Sequence, residues 1–274
     1  NLYTREAYEL MKQLELKSLL KRFDAGSWEE PQEETPLTWR EISEPAEAAA
    51  FLETLGAQGG FSVQTVAQGK ELLGVVFAPA PEEAVYLPVS GEVTPALLAR
   101  ELDAAAERPA SVTVLDLKSL LKMLPVREQD VYFDAGVAAY LLNPLKSSYG
   151  YEDLARDYLH QTVPAPSEIL GKTPLAEAAP EVFREHVSRL AVIPLRARPE
   201  LERQLAGTGM EELFRQVEMP LLFSLDRMEK AGIRVERQAL EEYSRQLEGQ
   251  IAALEAEIYE MTGCEFNINS PKQL

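Results

Sequence analysis

Side chains able to hold an anion gather in the run Phe266-Asn267-Ile268-Asn269-Ser270-Pro271-Lys272-Gln273-Leu274. The short amides of Asn267 and Asn269, the hydroxyl of Ser270 and a helix N-terminus can all donate hydrogen bonds to a phosphate. Ser270 is a natural N-cap and Pro271 a natural first helical residue, so the spacing predicts a helix opening here. The same residue types also cap and turn chains that bind nothing. The segment Asn267–Ser270 alone leaves both readings open.

Other chemistry has thinner support. His160 and His186 are the only histidines and stand in no metal-ligand spacing, which suits surface or core fillers. No glycine-rich phosphate loop follows a predicted strand; Gly207-Thr208-Gly209 lies between helices and reads as a turn. Ser, His and Asp occur without a nucleophile-elbow context. Cys264 has neither histidine near it in sequence and reads as a half-buried loop residue.

The elements that must position the C-terminal run come just before it. Glu218-Met219-Pro220-Leu221-Leu222 opens a helix whose apolar positions continue through Leu225 and Met228 and stop at Ala231-Gly232. Ile233-Arg234-Val235 is a short extended link. Then Leu240, Tyr243, Leu247, Ile251, Leu254, Ile258 and Met261 recur at spacings of three and four, on one stripe of a second helix. From Glu236 to Thr262 that rod would be ~40 Å long at ~1.5 Å per residue. The chain ends just inside the helix that Ser270 opens, so it is expected to be a segment cut from a longer protein.

Upstream, residues 4–23 have the pattern of an amphipathic helix, and Asp24 to Pro36 that of an acidic linker in which Glu29-Glu30 and Glu33-Glu34 act as a solvated spacer. From Leu37 the pattern is α/β. A strand near Leu37–Ile42 and a helix across Pro45–Leu55 precede three extended runs, Phe61–Val66, Leu72–Ala78 and Ala84–Val89, which read as an antiparallel meander. A helix over 95–106, a strand at Ser111–Leu115, a helix from Asp116 to Leu124 and a strand at Val131–Phe133 follow. Helices fill most of 134–198, with loops around Asn143–Ser148 and Gln161–Thr173. The order fits a ribonuclease H-like α/β fold, a mixed sheet with flanking helices, followed by long helices.

Length and composition are those of an ordinary globular chain with 46% hydrophobic residues. No apolar run approaches the ~20 residues of a membrane span. A single cysteine rules out an internal disulfide and fits a reducing cytoplasm. The net charge of −18 argues against broad electrostatic attraction to nucleic acid.

Three blocks in order resemble the opening of the polymerase domain in the bacterial DNA polymerase I family, the A-family DNA polymerases. They are Glu218-Met219-Pro220-Leu221, then Met228-Glu229-Lys230-Ala231-Gly232-Ile233-Arg234-Val235, then Phe266 to Leu274. Leu73-Gly74-Val75-Val76-Phe77-Ala78, Tyr86-Leu87-Pro88-Val89, Phe133-Asp134 and Tyr140-Leu141-Leu142-Asn143-Pro144 are similar to that family's 3′–5′ exonuclease domain. Leu16 to Phe23 resembles the end of its 5′-nuclease domain. The resemblance implies four segments: 1–23, the end of the 5′-nuclease region; 24–36, a linker; 37–205, an exonuclease-like domain; and 206–274, the start of the thumb. It implies that Asn267, Asn269, Ser270 and Lys272 contact the backbone of primer–template DNA, weakly in isolation, and that the parent is a bacterial cytoplasmic polymerase using Mg²⁺.

The family's nuclease holds two metal ions ~3.5–4 Å apart with an Asp-x-Glu pair on the first strand, an Asp after an Asn-Leu-Lys-Tyr segment, and a Tyr and Asp on a later helix. The resemblance puts Val63 and Thr65, Leu120, and Val187 and Ala191 at those positions. Apolar side chains cannot ligate a hard cation, so the site is expected to be vestigial, with no cofactor in this chain and the domain serving as a scaffold. Asp116 is expected to cap its helix, Asp134 to be structural, and Pro194 to disturb helical continuity. Two alternatives stay open: a working nuclease with displaced ligands, and a non-enzymatic interaction module. The stripe Leu240–Met261 predicts weak self-association.

Overall fold

The computed structural model describes Thr4, Ala7, Leu10 and Met11, then residues 37–57, 59–107 and 111–273. The linker expected over 24–36, and the helix expected over 4–23 apart from those four residues, lie outside the described residues. The described residues form two compact units that divide between Arg227 and Met228.

The first unit is built on six strands: β1 (Thr38–Glu41), β2 (Gly60–Gln68), β3 (Glu71–Ala80), β4 (Glu83–Pro88), β5 (Ser111–Val114) and β6 (Tyr132–Asp134). Their order across the sheet is β1-β4-β3-β2-β5-β6. β2, β3 and β4 form the expected antiparallel meander, while β1 joins β4, and β5 and β6 extend from β2, all in parallel. Leu72 to Ala78 is apolar throughout because β3 is central and covered on both faces. Gly74 is required there: a Cβ would lie 2.5 Å from the Tyr86 ring and 2.6 Å from the Leu87 carbonyl oxygen. That close approach lets the Tyr86 hydroxyl donate to the Leu73 carbonyl at 3.0 Å.

Helices α1 (Pro45–Ala57) and α2 (Pro95–Ala106) cover one face. Phe51, Leu52 and Leu55 of α1 and Leu98 and Leu102 of α2 are buried in one cluster with Phe61, Val63, Val75, Phe77, Val85 and Leu87. Thr94 caps α2 by accepting from the Leu97 N–H, with Pro95 at the first helical position. Short helices α3 (Leu117–Met123), α4 (Ala135–Leu142), α5 (Tyr151–Tyr158) and α6 (Pro166–Leu170) follow. α6 stands inside the stretch expected as a loop, its first turn closed by the Glu168 carboxylate accepting from the Ala165 N–H.

The other face is crossed by α7 (Pro180–Thr208). Here the structure corrects an expectation: α7 runs unbroken through both Pro194 and Pro199. Each proline removes a hydrogen bond at a cost of about 3 kcal/mol. Val187, Ala191, Val192, Ile193, Ala197, Leu201 and Leu205 are all buried along the same helix. At about 1.5–3 kcal/mol for a large side chain, that packing outweighs the local penalty. Gly207 and Thr208 complete α7, and Gly209, at φ +71°, ends it. Helical turns over Glu211–Leu213 and Phe214–Glu218 lead into α8 (Met219–Ala231). Phe214, Met219, Leu222 and Phe223 belong to the same core as the sheet, so packing continues beyond 205/206, where the family segments were expected to divide.

In the second unit, Gly232 at φ +71° ends α8 as expected. α9 (Arg237–Thr262) starts after Glu236 and stops at Gly263, φ +69°. The chain then folds back: the Tyr259 hydroxyl donates to the Phe266 carbonyl at 3.0 Å, with the two rings edge-on at 5.9 Å. Cys264 is exposed rather than half-buried, because it follows directly on the left-handed cap.

Candidate functional site

Side chains along a strand alternate between faces, and the register of β2 decides what each face carries. Ser62 pairs with Ala78, Gln64 with Val76 and Val66 with Gly74, whereas Val63 pairs with Phe77 and Thr65 with Val75. Val66, Val76 and Ala78 pack with Val187, Ala191 and Val192 of α7. Ser62, Gln64 and Val66 therefore face α7. Val63 and Thr65 face the other way, toward α1, where the Phe51 and Phe77 rings meet at 5.7 Å.

The five residues expected to mark one degenerate site are thus divided. Val63 and Leu120 are buried in the larger cluster, while Val187 and Ala191 are buried in the smaller one on the α7 face. A one-residue slip on a strand moves a side chain to the opposite face, and that slip separates Val63 and Thr65 from Ser62 and Gln64.

The α7 face carries polar residues that sequence reasoning passed over. Ser62 and Gln64 are 0% and 5% exposed. The Gln64 amide nitrogen donates to the Ser62 hydroxyl at 3.2 Å, and its carbonyl oxygen accepts from the Leu115 N–H at 2.9 Å. Thr113, paired with Ser62 across β5, accepts from Arg198 of α7 at 3.1 Å. The Arg198 guanidinium lies 4.7 Å from the centre of the Phe133 ring and donates to Glu202 at 2.9 Å. A strand interior holding two buried polar residues two apart was the available signal. It was ambiguous because Thr65 makes the other face partly polar as well.

These residues do not fit a pair of hard divalent cations. Such ions need several carboxylate oxygens, and this surface offers a hydroxyl, an amide, a second hydroxyl and a fixed positive charge. Among the described residues, no three His, Cys, Asp or Glu side chains come together as a metal-holding group.

The nearby carboxylates are engaged in structure. Asp116 caps α3, accepting from the Ser119 N–H at 3.0 Å and its hydroxyl at 2.6 Å. Asp134 is buried and accepts from the Leu117 N–H at 2.7 Å and the Val137 N–H at 2.9 Å, tying together the starts of α3 and α4. Burial pushes its carboxyl up to about 7, against the downward pull of those backbone donors. His186 is buried with its Nδ1 3.2 Å from the Tyr151 hydroxyl, and burial lowers its pKa.

The C-terminal residues singled out for phosphate form a turn. Asn267 Oδ1 accepts from the Asn269 N–H at 3.0 Å, and the Asn267 N–H donates to Gln273 Oε1 at 2.8 Å. The Ser270 N–H donates to the Asn267 carbonyl, and the Gln273 N–H to that of Ser270. Residues 271–273 are a turn, not the helix the sequence predicted. Asn267, Asn269 and Lys272 are exposed and Ser270 half-exposed. The structure brings the four together on one short span, and Gln273 closes it.

No family model matches the chain. It is 35% identical over 143 residues to DNA polymerase I of Bacillus subtilis, covering 52% of this chain and 16% of that protein. It is 32% identical over 204 residues to DNA polymerase I of Lactococcus lactis subsp. cremoris, covering 73% and 22%. The chain thus spans only about a fifth of these relatives' own length. Among solved structures, the POL domain of Pol1 from M. smegmatis in complex with DNA primer-template and dNTP superposes with a TM-score of 0.66 at 24% identity, over 86% of this chain and 39% of that one. Brucella melitensis NrnC with bound Mg²⁺ gives 0.54 at 14% identity over 73% and 98%. Escherichia coli RNase D, an exoribonuclease, gives 0.57 at 14% identity over 70% and 51%. The chain is therefore homologous to bacterial DNA polymerase I over part of that protein's length, and its first unit has the fold of the 3′–5′ exonucleases.

Proposed function

We propose that this chain is the exonuclease-like and early thumb portion of a DNA polymerase I, and that its exonuclease-like domain is a scaffold without metal-dependent nuclease activity. The observation that carries this is the network of Ser62, Gln64, Thr113 and Arg198 on the α7 face of the sheet. In this reading Ser62 and Gln64 stand at the family's Asp-x-Glu positions, one residue earlier than the sequence alone suggested. A neutral amide bound to a strand-end N–H cannot supply the charge that two divalent cations need. As family segments, 37–205 would be the scaffold and 206–274 the start of the thumb. Nucleotide addition with Mg²⁺ belongs, in this proposal, to the longer parent protein. Asn267, Asn269, Ser270 and Lys272 are proposed to touch primer–template backbone, which their exposure and shared turn support.

The test is digestion of a 3′-labelled single strand by this chain with Mg²⁺ and then Mn²⁺. No shortening above a buffer control is expected. Metal-dependent shortening that persists through further purification and disappears in Asp116→Ala would overturn the scaffold reading in favour of a nuclease with displaced ligands.

A further inference from the structure

Three neighbouring strands present one row of side chains to α7: Ser62 of β2 pairs with Thr113 of β5, and Thr113 with Phe133 of β6. Arg198 of α7 lies over this row. Its Nη1 donates to the Thr113 hydroxyl at 3.1 Å, and its guanidinium stands 4.7 Å from the centre of the Phe133 ring. The Arg198 side chain is only 17% exposed, and Thr113 is fully buried. An aromatic face attracts a cation most when both are withdrawn from water, so Phe133 and Thr113 fix the charge in place. Ser62 is one strand away, about 4.8 Å.

Charge around Arg198 is balanced on one side only. Its Nε donates to Glu202 at 2.9 Å, and Glu202 is 38% exposed and also 3.9 Å from Arg215. That compensation sits at the solvent edge. On the strand side, Ser62, Gln64 and Thr113 are neutral. A guanidinium keeps its charge at any pH the fold tolerates, and a like charge repels more strongly in a partly buried site than in water. A divalent cation entering beside Ser62 and Gln64 would meet that fixed charge. A carboxylate projecting from position 62 would find a tethered cation already within pairing distance.

We propose that Arg198 is the resident cation of this face: it holds α7 to β5 and β6, and it keeps divalent ions from the Ser62–Gln64 strand even when carboxylates are returned there. Metal is thus excluded by a tethered charge as well as by lost ligands. The inference rests on the placement of Ser62 and Gln64 at the family's Asp-x-Glu positions and deepens the scaffold reading.

The probe is Mn²⁺, its free fraction read by electron paramagnetic resonance at fixed ionic strength, with the unaltered chain giving the background of its acidic surface. The whole chain carrying Ser62→Asp and Gln64→Glu should bind no more Mn²⁺ than that background. Adding Arg198→Met should tighten binding about tenfold or more, and adding Arg198→Lys, which keeps the charge, should not. Arg198→Gln, which keeps an amide donor for Thr113, replaces the methionine variant where that one loses its circular dichroism. Binding above background by the Ser62→Asp, Gln64→Glu chain with Arg198 in place overturns the proposal. So does equal Mn²⁺ binding with and without the charge at position 198, as a purely structural arginine would give. Neither result touches the scaffold reading, which fails instead if the unaltered chain shortens a labelled strand with Mg²⁺ or Mn²⁺.

Discussion

Asp134 shows how one buried carboxylate serves two helices. Its two oxygens take the Leu117 N–H that opens α3 and the Val137 N–H in the first turn of α4, donors that the helices themselves leave unmatched. Burial raises its pKa to about 7 in the folded chain, from an ordinary value of 3.8. A raised folded pKa contributes stability that is fully present below the unfolded value and lost as pH rises through the folded one. The chain is therefore expected to lose stability from this group between about pH 4 and pH 7. Asp134→Asn keeps only one acceptor oxygen, leaves one buried N–H unmatched and costs about 1–3 kcal/mol. It should also flatten the melting temperature across that range relative to the unaltered chain, and an equal slope in both would exclude Asp134 as its source. The same scale explains why the sequence left the two faces of β2 unassigned. Ser62 and Gln64 are polar residues two apart, but Thr65 on one face and Val66 on the other leave both faces of the strand mixed, so alternation alone does not say which one α7 covers.

At the scale of elements, α7 is the instructive case. Local propensity argues for a break at Pro194, and the buried side chains from Val187 to Leu205 keep the helix whole. Replacing Pro194 by Ala restores a donor for the carbonyl one turn back and relieves a penalty of about 3 kcal/mol, while losing part of a buried ring. Net stabilisation is expected, read as a higher denaturant midpoint with an unchanged slope. A lower midpoint would show that the ring is worth more to the packing than the hydrogen bond. α9 is the converse, since its stripe lies exposed along one side.

For the whole molecule, net charge sets the terms of DNA binding. A chain at −18 repels a polyanion over most of its surface, while the turn at 267–273 offers amides, a hydroxyl and Lys272. Binding to a primer–template duplex through this turn is expected to be weak, and its Lys272 contact to weaken further near physiological salt, where charge interactions are screened beyond about 8 Å. Lys272→Glu should remove the low-salt binding, as fluorescence anisotropy would show. Retained binding would shift the contact to another surface.

The amino-acid sequence settled most of the order of the elements, because apolar periodicity, the N-cap Asp116 and glycine exits at 232 and 263 act within a few residues. It also determined the relation to DNA polymerase I, carried by blocks such as Met228 to Val235 that can be read without a fold. Which side of β2 faces α7, the passage of α7 through its prolines, the packing that runs on to Phe223 and the closing of the C-terminal turn by Gln273 emerge from the folded chain alone. Each of these depends on contacts between residues distant in sequence, or on a choice between two faces that differ by a single step of register.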